Sequence, residues 1–406
     1  MKGINGGRTC GMGMIILLVI CFLLPLPVKA AEPYHLGVAL GLTGTGALYS
    51  RDGKNAIEMA VEEINKEGGF LGKHPIKLFV RDTQTKPDVG VREAKDLILR
   101  EKVKCVLGTY SSAVGLAVED VCYEYKVLHI PAISYTQAMT QVIGISKYAK
   151  QKGWKSYATI GSDYEWGHST VNYFVDNMKK TYPEFRMIKQ YWPKLGETEF
   201  SSYITAVMGD KPDFVYAALA SKDNIAWMKQ AKPYGFFDKF PYACLISVTE
   251  MEEMKDELPR GLIGETRAPF FAHMDIPMMA NFVKNYRAKY NQYPSDWAVM
   301  EYDAVYVLKQ GIEKAKSIDI EKVKNALKGM TVNTTRGKLY FRKIDNMLNC
   351  QSYIGIIADD PKYPFPIYKD LLIVTGEESW RPESEIPAVR EKSGLAKKRK
   401  PEELKF

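Results

Sequence analysis

The stretch GLTGTGALYSRDGKNAIEMAVEEINKEGG, Gly41 to Gly69, follows the apolar run YHLGVALG and packs glycines and hydroxyls into one turn. Glycines let backbone amides approach a ligand closely, and amides at the start of a helix favour an anion. A dinucleotide loop would need Gly-x-Gly-x-x-Gly and an acid ~20 residues on. Gly44 and Gly46 fit, but Tyr49 occupies the third position and the next strand reaches its acid only at Asp82. No Gly-Lys-Ser/Thr follows, so a phosphate loop is excluded too. No cofactor is expected, and Tyr49 remains as a side chain presented by the turn.

The same residue types recur after three more apolar runs. VKCVLG leads to Thr109-Tyr110-Ser111-Ser112, VLHIPAIS to Ser134-Tyr135-Thr136, and SYATIG to Ser162-Asp163-Tyr164-Glu165-Trp166-Gly167. Hydroxyls and amides at helix starts suit a carboxylate. Each serine taken alone reads equally well as a helix N-cap or turn residue; their coincidence at successive strand ends points to a site. Asp163 and Glu165 are the acid–base pair an enzyme would use, but no Gly-x-Ser-x-Gly elbow or Cys–His pairing accompanies them. The five histidines and the cysteines show no ligand spacing, so no metal is expected.

Elements must hold these residues in place, and the chain alternates them. Gly53–Lys66 reads as a helix with Ile57, Val61 and Ile64 on one face, stopped by Gly68-Gly69. Strand IKLFVRD, helix DVGVREAKDLILRE, strand VKCVLG, helix LAVEDVCYEY and strand VLHIPAIS follow. A second series runs from a helix beginning at Val142 through SYATIG, Met187–Tyr191 and DFVYAAL, with helices between. Later helices at Pro277–Tyr290 and Trp297–Lys314 precede strand-like pieces at Gly337–Arg342 and Gln351–Ile357. Alternating β and α elements mean parallel sheets covered on both faces, and two series mean two Rossmann-like lobes. Ligands of such sheets lie beyond the carboxyl ends of the strands, where the hydroxyl runs fall.

The 406 residues suffice for two domains, and 46% apolar with 26% charged content is that of a globular chain. Lys2 and Arg8 precede the apolar run Met14–Leu24, which Pro25 ends, and Val28-Lys29-Ala30 offers a cleavage site. So short a run reads as an export signal over residues 1–30. Cys21 follows Ile20, where a lipoprotein signal needs a small residue, which disfavours an anchor. Loss of the leader removes Lys2, Arg8 and Lys29 and no acid, lowering the formal charge from +8 to +5. What remains gathers in KSGLAKKRKPEELKF, within a basic tail over 385–406 expected to be disordered rather than to bind nucleic acid. Four cysteines survive cleavage. Cys105 on a strand and Cys122 on the following helix come to similar heights at ~1.5 Å per residue. A disulfide or two buried thiols fit equally.

In this order and spacing the motifs resemble the periplasmic solute-binding proteins of branched-chain-amino-acid-type ABC transporters, over roughly Tyr34 to Trp380. The strongest matches are LTGTGALYSRDGKNAIEMAVEEINKEGGFLGKHPIKLFVRDTQTKP and VLGTYSSAVGLAVEDV, supported by IGSDYEWGHS and YPSDWAVMEYDAVYVL. The resemblance implies the type I periplasmic binding protein fold, two α/β lobes closing about a hinge. It implies a first lobe of 33–137 and 268–330 and a second of 141–265 and 331–380. It implies ligand contacts from Tyr49, from Ser111 and Ser112 to a carboxylate, from Ser134, Tyr135 and Thr136, and from Trp166 on the second lobe. Two departures stand out. The position where amino-acid binders carry an acid for the ligand ammonium reads Ala243-Cys244-Leu245-Ile246-Ser247, with no carboxylate before Glu250. The join from Thr136 to Gln141 is shorter than the family's hinge crossing.

The resemblance therefore implies a monomeric, non-enzymatic periplasmic carrier. It would deliver an amino acid or a related carboxylate or amide to the membrane permease of an ABC transporter. A ligand-sensing receptor and a hydrolytic enzyme on the same fold are the alternatives.

Overall fold

The computed structural model describes residues 31–133, 138–219 and 222–392. The expected leader, the run Ser134–Thr136 and the tail beyond Lys392 lie outside the described residues.

The first series forms β1 (Tyr34–Leu40), α1 (Ala47–Lys66), β2 (Ile76–Asp82), α2 (Pro87–Leu99), β3 (Cys105–Gly108), α3 (Ser112–Glu124) and β4 (Leu128–Ile130). Its strands make a parallel sheet in the order β2-β1-β3-β4. β3 is buried throughout and β1 nearly so, as central parallel strands covered on both faces must be. α1 begins earlier than Gly53, because a single 3-10 turn at Gly44–Gly46 feeds it directly. Gly44 sits at φ +78, which a side chain would resist.

The second series runs α4 (Ala138–Lys152), β5 (Ser156–Gly161), α5 (Glu165–Thr181), β6 (Arg186–Tyr191), α6 (Ser201–Asp210), β7 (Phe214–Ala218) and α7 (Lys222–Ala231). Short α8 (Phe236–Lys239), β8 (Tyr242–Leu245), α9 (Val248–Met254) and β9 (Ile263–Thr266) continue it. Then come α10 (Pro277–Tyr290), α11 (Asp296–Ala315), α12 (Ile320–Leu327), β10 (Thr331–Thr334), β11 (Gly337–Tyr340), β12 (Ser352–Ala358) and β13 (Ile367–Val374). Two more helices, α13 (Gly376–Ser379) and α14 (Ile386–Lys392), close the described chain. The second sheet has the order β13-β12-β9-β8-β7-β5-β6. β6, β5, β7, β8 and β9 are parallel, whereas β12 and β13 return antiparallel on one side. Sequence had anticipated parallel sheets alone; the antiparallel pair comes from chain that re-enters this lobe after α12. A large apolar core underlies it, with Trp227 fully buried against Phe200, Phe236 and Tyr242.

α11 returns to the first lobe and packs along α1, where Gly53 admits the side chain of Glu301. The hairpin β10–β11 stays with α11: Asn333 exchanges hydrogen bonds with Gln310, and Asp303 accepts from Thr335 N and Arg336 Nε. The anticipated lobe boundary at 331 therefore falls before a hairpin that belongs with the first lobe. α4 starts at Ala138, ahead of the expected Val142, and the short join before it lies outside the described residues. The stretch expected to be an unstructured tail opens with α14, whose Arg390 donates to the carbonyl of Ile344. Cys105 and Cys122 are buried free thiols, not a disulfide; burial pushes both up, Cys122 to about 12.

Candidate functional site

A small cavity opens where the carboxyl ends of the two sheets face each other. It is lined by Tyr49, Tyr110, Ser112, Ile133, Tyr164, Trp166, Leu245, Arg267 and Trp297. Every parallel strand end that sequence marked in these described segments contributes: Tyr49 after β1, Tyr110 and Ser112 after β3, Tyr164 and Trp166 after β5. Leu245 ends β8 and Arg267 follows β9.

Of the anticipated contacts, Tyr49, Ser112 and Trp166 are brought together here. Ser111 is buried and N-caps α3 without a side-chain cap bond; its carbonyl accepts from Thr109 Oγ1 at 3.0 Å, and it is not part of the lining. Ser134, Tyr135 and Thr136 fall outside the described residues. Asp163 and Glu165 are turned outward, bonded to His168 and Ser169, and line no part of the cavity.

The glycine turn works differently from the amide cradle expected of it. Thr43 is held by Asp82, its Oγ1 donating at 2.6 Å. A Cβ on Gly46 would come within 2.4 Å of the Tyr110 ring. The missing side chain makes room for Tyr110, not for a ligand. Tyr110 in turn stands edge-on to Trp297, 6.2 Å between centroids, and its hydroxyl hydrogen-bonds that of Tyr164 from the other lobe. Tyr49 is fully buried, lies 4.6 Å from Trp297 between centroids, and donates its hydroxyl to Glu250 of α9.

Arg267 supplies the charge. Only 4% exposed, it donates Nη1 to the carbonyl of Ile133 at 2.9 Å and lies 5.2 Å over the ring of Trp297. Burial lowers its affinity for the proton while Glu265 and Asp296 oppose that, and an arginine stays charged in any case. Burial drives the Glu265 carboxyl up to about 8 against the pull of Arg267, so at neutral pH it is largely protonated and leaves Arg267 its charge. Asp296 rises to about 6 for the same reason, restrained by the hydroxyl of Thr266. Arg267 is the one charged side chain lining the cavity among the described residues.

Sequence reasoning missed Arg267 because IGET was not recognised as a strand, so the residue after it carried no positional meaning. Tyr110 and Tyr164 stood inside the marked runs without a role. Trp297 lay inside a helix, and only the three-dimensional packing of α11 on α1 turns it to the cavity.

A family profile described as periplasmic binding protein matches residues 33–361. The chain is 25% identical, over 340 residues, to the leucine-, isoleucine-, valine-, threonine- and alanine-binding protein of Pseudomonas aeruginosa; this covers 79% of the chain and 88% of that protein. A periplasmic binding protein from Burkholderia mallei superposes with a TM-score of 0.77 at 21% identity, covering 87% of this chain and 98% of that one. A solute-binding protein of an ABC transporter from Rhodopseudomonas palustris, in complex with 3,4-dihydroxybenzoic acid, does so with a TM-score of 0.75 at 21% identity, covering 84% and 98%. Two α/β lobes, a cavity between facing strand ends and this match together make the chain a member of the periplasmic binding protein family, of the branched-chain-amino-acid type that serves ABC transporters.

Proposed function

We propose that the cargo of this solute-binding protein is a small carboxylate without an α-ammonium group, with a flat aromatic acid fitting best. It is held between the lobes and handed to an ABC permease. Arg267 is the observation that carries this reading. A buried guanidinium matches a carboxylate in charge and geometry, and Ser112 at the start of α3 adds a hydroxyl and an amide. An ammonium would need a carboxylate in the wall. Among the described residues no carboxylate lines the cavity: Glu250 is engaged by Tyr49 and by Ser247, Asp223 by Ser162 Oγ at 2.9 Å and Gly196 N at 3.1 Å, and Glu265 and Asp296 sit beside Arg267. The rings of Tyr49, Tyr110, Tyr164, Trp166 and Trp297 suit a planar ligand. The dihydroxybenzoate carrier from Rhodopseudomonas palustris shows that the fold accommodates such an acid, and the Pseudomonas aeruginosa relative, by its name, takes amino acids instead.

The protein acts as a monomer outside the cytoplasm, after cleavage beside Ala30; among the described residues no helix is long and apolar enough to cross a membrane. N-terminal sequencing of envelope protein should start at Ala31 or a near neighbour, and acylated Cys21 at the N-terminus would overturn this. For the cargo, calorimetry of the chain from Ala31 onward should show binding of benzoate or 3,4-dihydroxybenzoate, abolished by Arg267→Met. Tighter binding of isoleucine than of any acid lacking an ammonium would refute the reading.

A further inference from the structure

Two hydrogen-bond donors in the cavity wall have no acceptor among the described residues. Trp297 is 3% exposed and Trp166 half-buried, and the Nε1 of each is shielded from solvent and unpaired. An indole N–H only donates, so it needs an acceptor brought to it. Buried donors are rarely left without one, and those that are call for an explanation. Trp227 has an unpaired Nε1 as well, but it lies in the core among rings, away from the cavity. Trp166 and Trp297 are different because both line the cavity.

The rest of the wall sharpens the point. The hydroxyl of Tyr49 is given to Glu250, that of Tyr164 to the hydroxyl oxygen of Tyr110, and the carbonyl of Ile133 receives Arg267. What the cavity presents is a guanidinium, the hydroxyls of Ser112 and Tyr110, and two indole N–H groups. It offers donors and few acceptors.

We propose that Trp166 and Trp297 are specificity-determining residues whose indole N–H groups donate to a second acceptor oxygen on the cargo. The cargo class is then a carboxylate bearing a further acceptor such as an ether, keto or phenolic oxygen. This deepens the carboxylate reading and rests on it. A ligand with an apolar group in the acceptor's place leaves the N–H groups buried and unpaired, so discrimination between isosteres follows directly.

The test uses the chain from Ala31 onward and the 2-, 3- and 4-isomers of methoxybenzoate, each against the ethylbenzoate of the same pattern. The pairs match in size and charge and differ in one acceptor. For the best-fitting isomer the methoxy acid should bind about five- to tenfold tighter, and Trp166→Phe with Trp297→Phe should erase that preference while both acids still bind. ¹⁵N indole spectra need no mutation. Of the six tryptophan resonances, those of Trp166 and Trp297 should move with the methoxy acid more than with its ethyl partner. Equal affinities within every pair, or a preference that survives both substitutions, would overturn the inference and leave the carboxylate reading standing. If no benzoate binds and isoleucine does, the carboxylate reading falls and the inference with it.

Discussion

The hydroxyl of Tyr49, on the first helix of one lobe, donates to the buried carboxyl of Glu250, on the helix after β8 in the other. Glu250 also caps its own helix by accepting from Ser247 N and Oγ. Nearby, Thr249 Oγ1 donates to Asp52 at 3.1 Å, so α1 and α9 are stapled twice. Tyr49→Phe keeps the ring in the wall and removes the bond. Burial pushes the Glu250 carboxyl well above its ordinary range, so the bond joins neutral groups and contributes about 0.5–1.5 kcal/mol; cargo should bind roughly two- to tenfold more weakly, with the open form favoured in solution scattering. Unchanged affinity and compaction would show that the staple is irrelevant to closure.

Arg267 faces Glu265, Asp296, Tyr164 and Tyr110. Because burial raises Glu265 from its ordinary 4.5 to about 8, the folded protein holds this proton where the unfolded chain has lost it. The resulting stabilisation is complete below about pH 4.5 and is lost as pH rises through 8. Ionised Glu265 also competes with the cargo for Arg267. Benzoate affinity is therefore expected to fall between pH 7 and 9, and Glu265→Gln to flatten that profile. An identical slope in wild type and variant would assign the pH dependence elsewhere.

Glu301 is wholly buried on α11, with neither carboxyl oxygen paired among the described residues, and burial alone raises it to about 8. The same sign applies: the group is harmless when protonated and destabilising once ionised. Glu301→Gln should leave the melting temperature at pH 5 nearly unchanged and raise it by several degrees at pH 9. Equal shifts at both pH values would mean the glutamine acts through packing.

Ser112 and Ser111 separate a site residue from its neighbour. Ser112→Ala removes a lining hydroxyl and should weaken carboxylate binding about ten- to a hundredfold. Ser111→Ala removes a side chain with no cap bond and should stay within about twofold. Titration of both variants by calorimetry decides, and the reverse ranking would move the carboxylate away from the start of α3.

The parallel lobes were legible because their strands are buried on both faces and read as unbroken apolar runs between amphipathic helices. β12 was anticipated as the strand-like piece at Gln351–Ile357, whereas β8, β9, β10 and β13 were not: each is short or sits in chain that crosses back between lobes, where local pattern says nothing about the partner strand. The cavity lining was legible where one of its residues followed a recognised strand, as Tyr49, Ser112 and Trp166 do. Gly46 shows the limit of such reading. Its small size was evident, but only the fold reveals that the space belongs to Tyr110. The absence of an acid from the Ala243–Ser247 segment was visible in sequence and matches a lining without carboxylates.

Arg267 follows β9 on one passage of the chain between lobes, and Ile133 closes β4's segment on another. The bond between them fastens the two passages at the point where the cargo's charge is felt. If the hinge runs through this bond, an anion drawn to that guanidinium would act at the fulcrum, where displacements are smallest, while the outer rims of the lobes would sweep the longest arc. A permease gripping those rims would sense occupancy as an angle and never need to meet the charge. Spin labels at the rims are expected to report the largest distance change on loading, and labels flanking Arg267 the smallest.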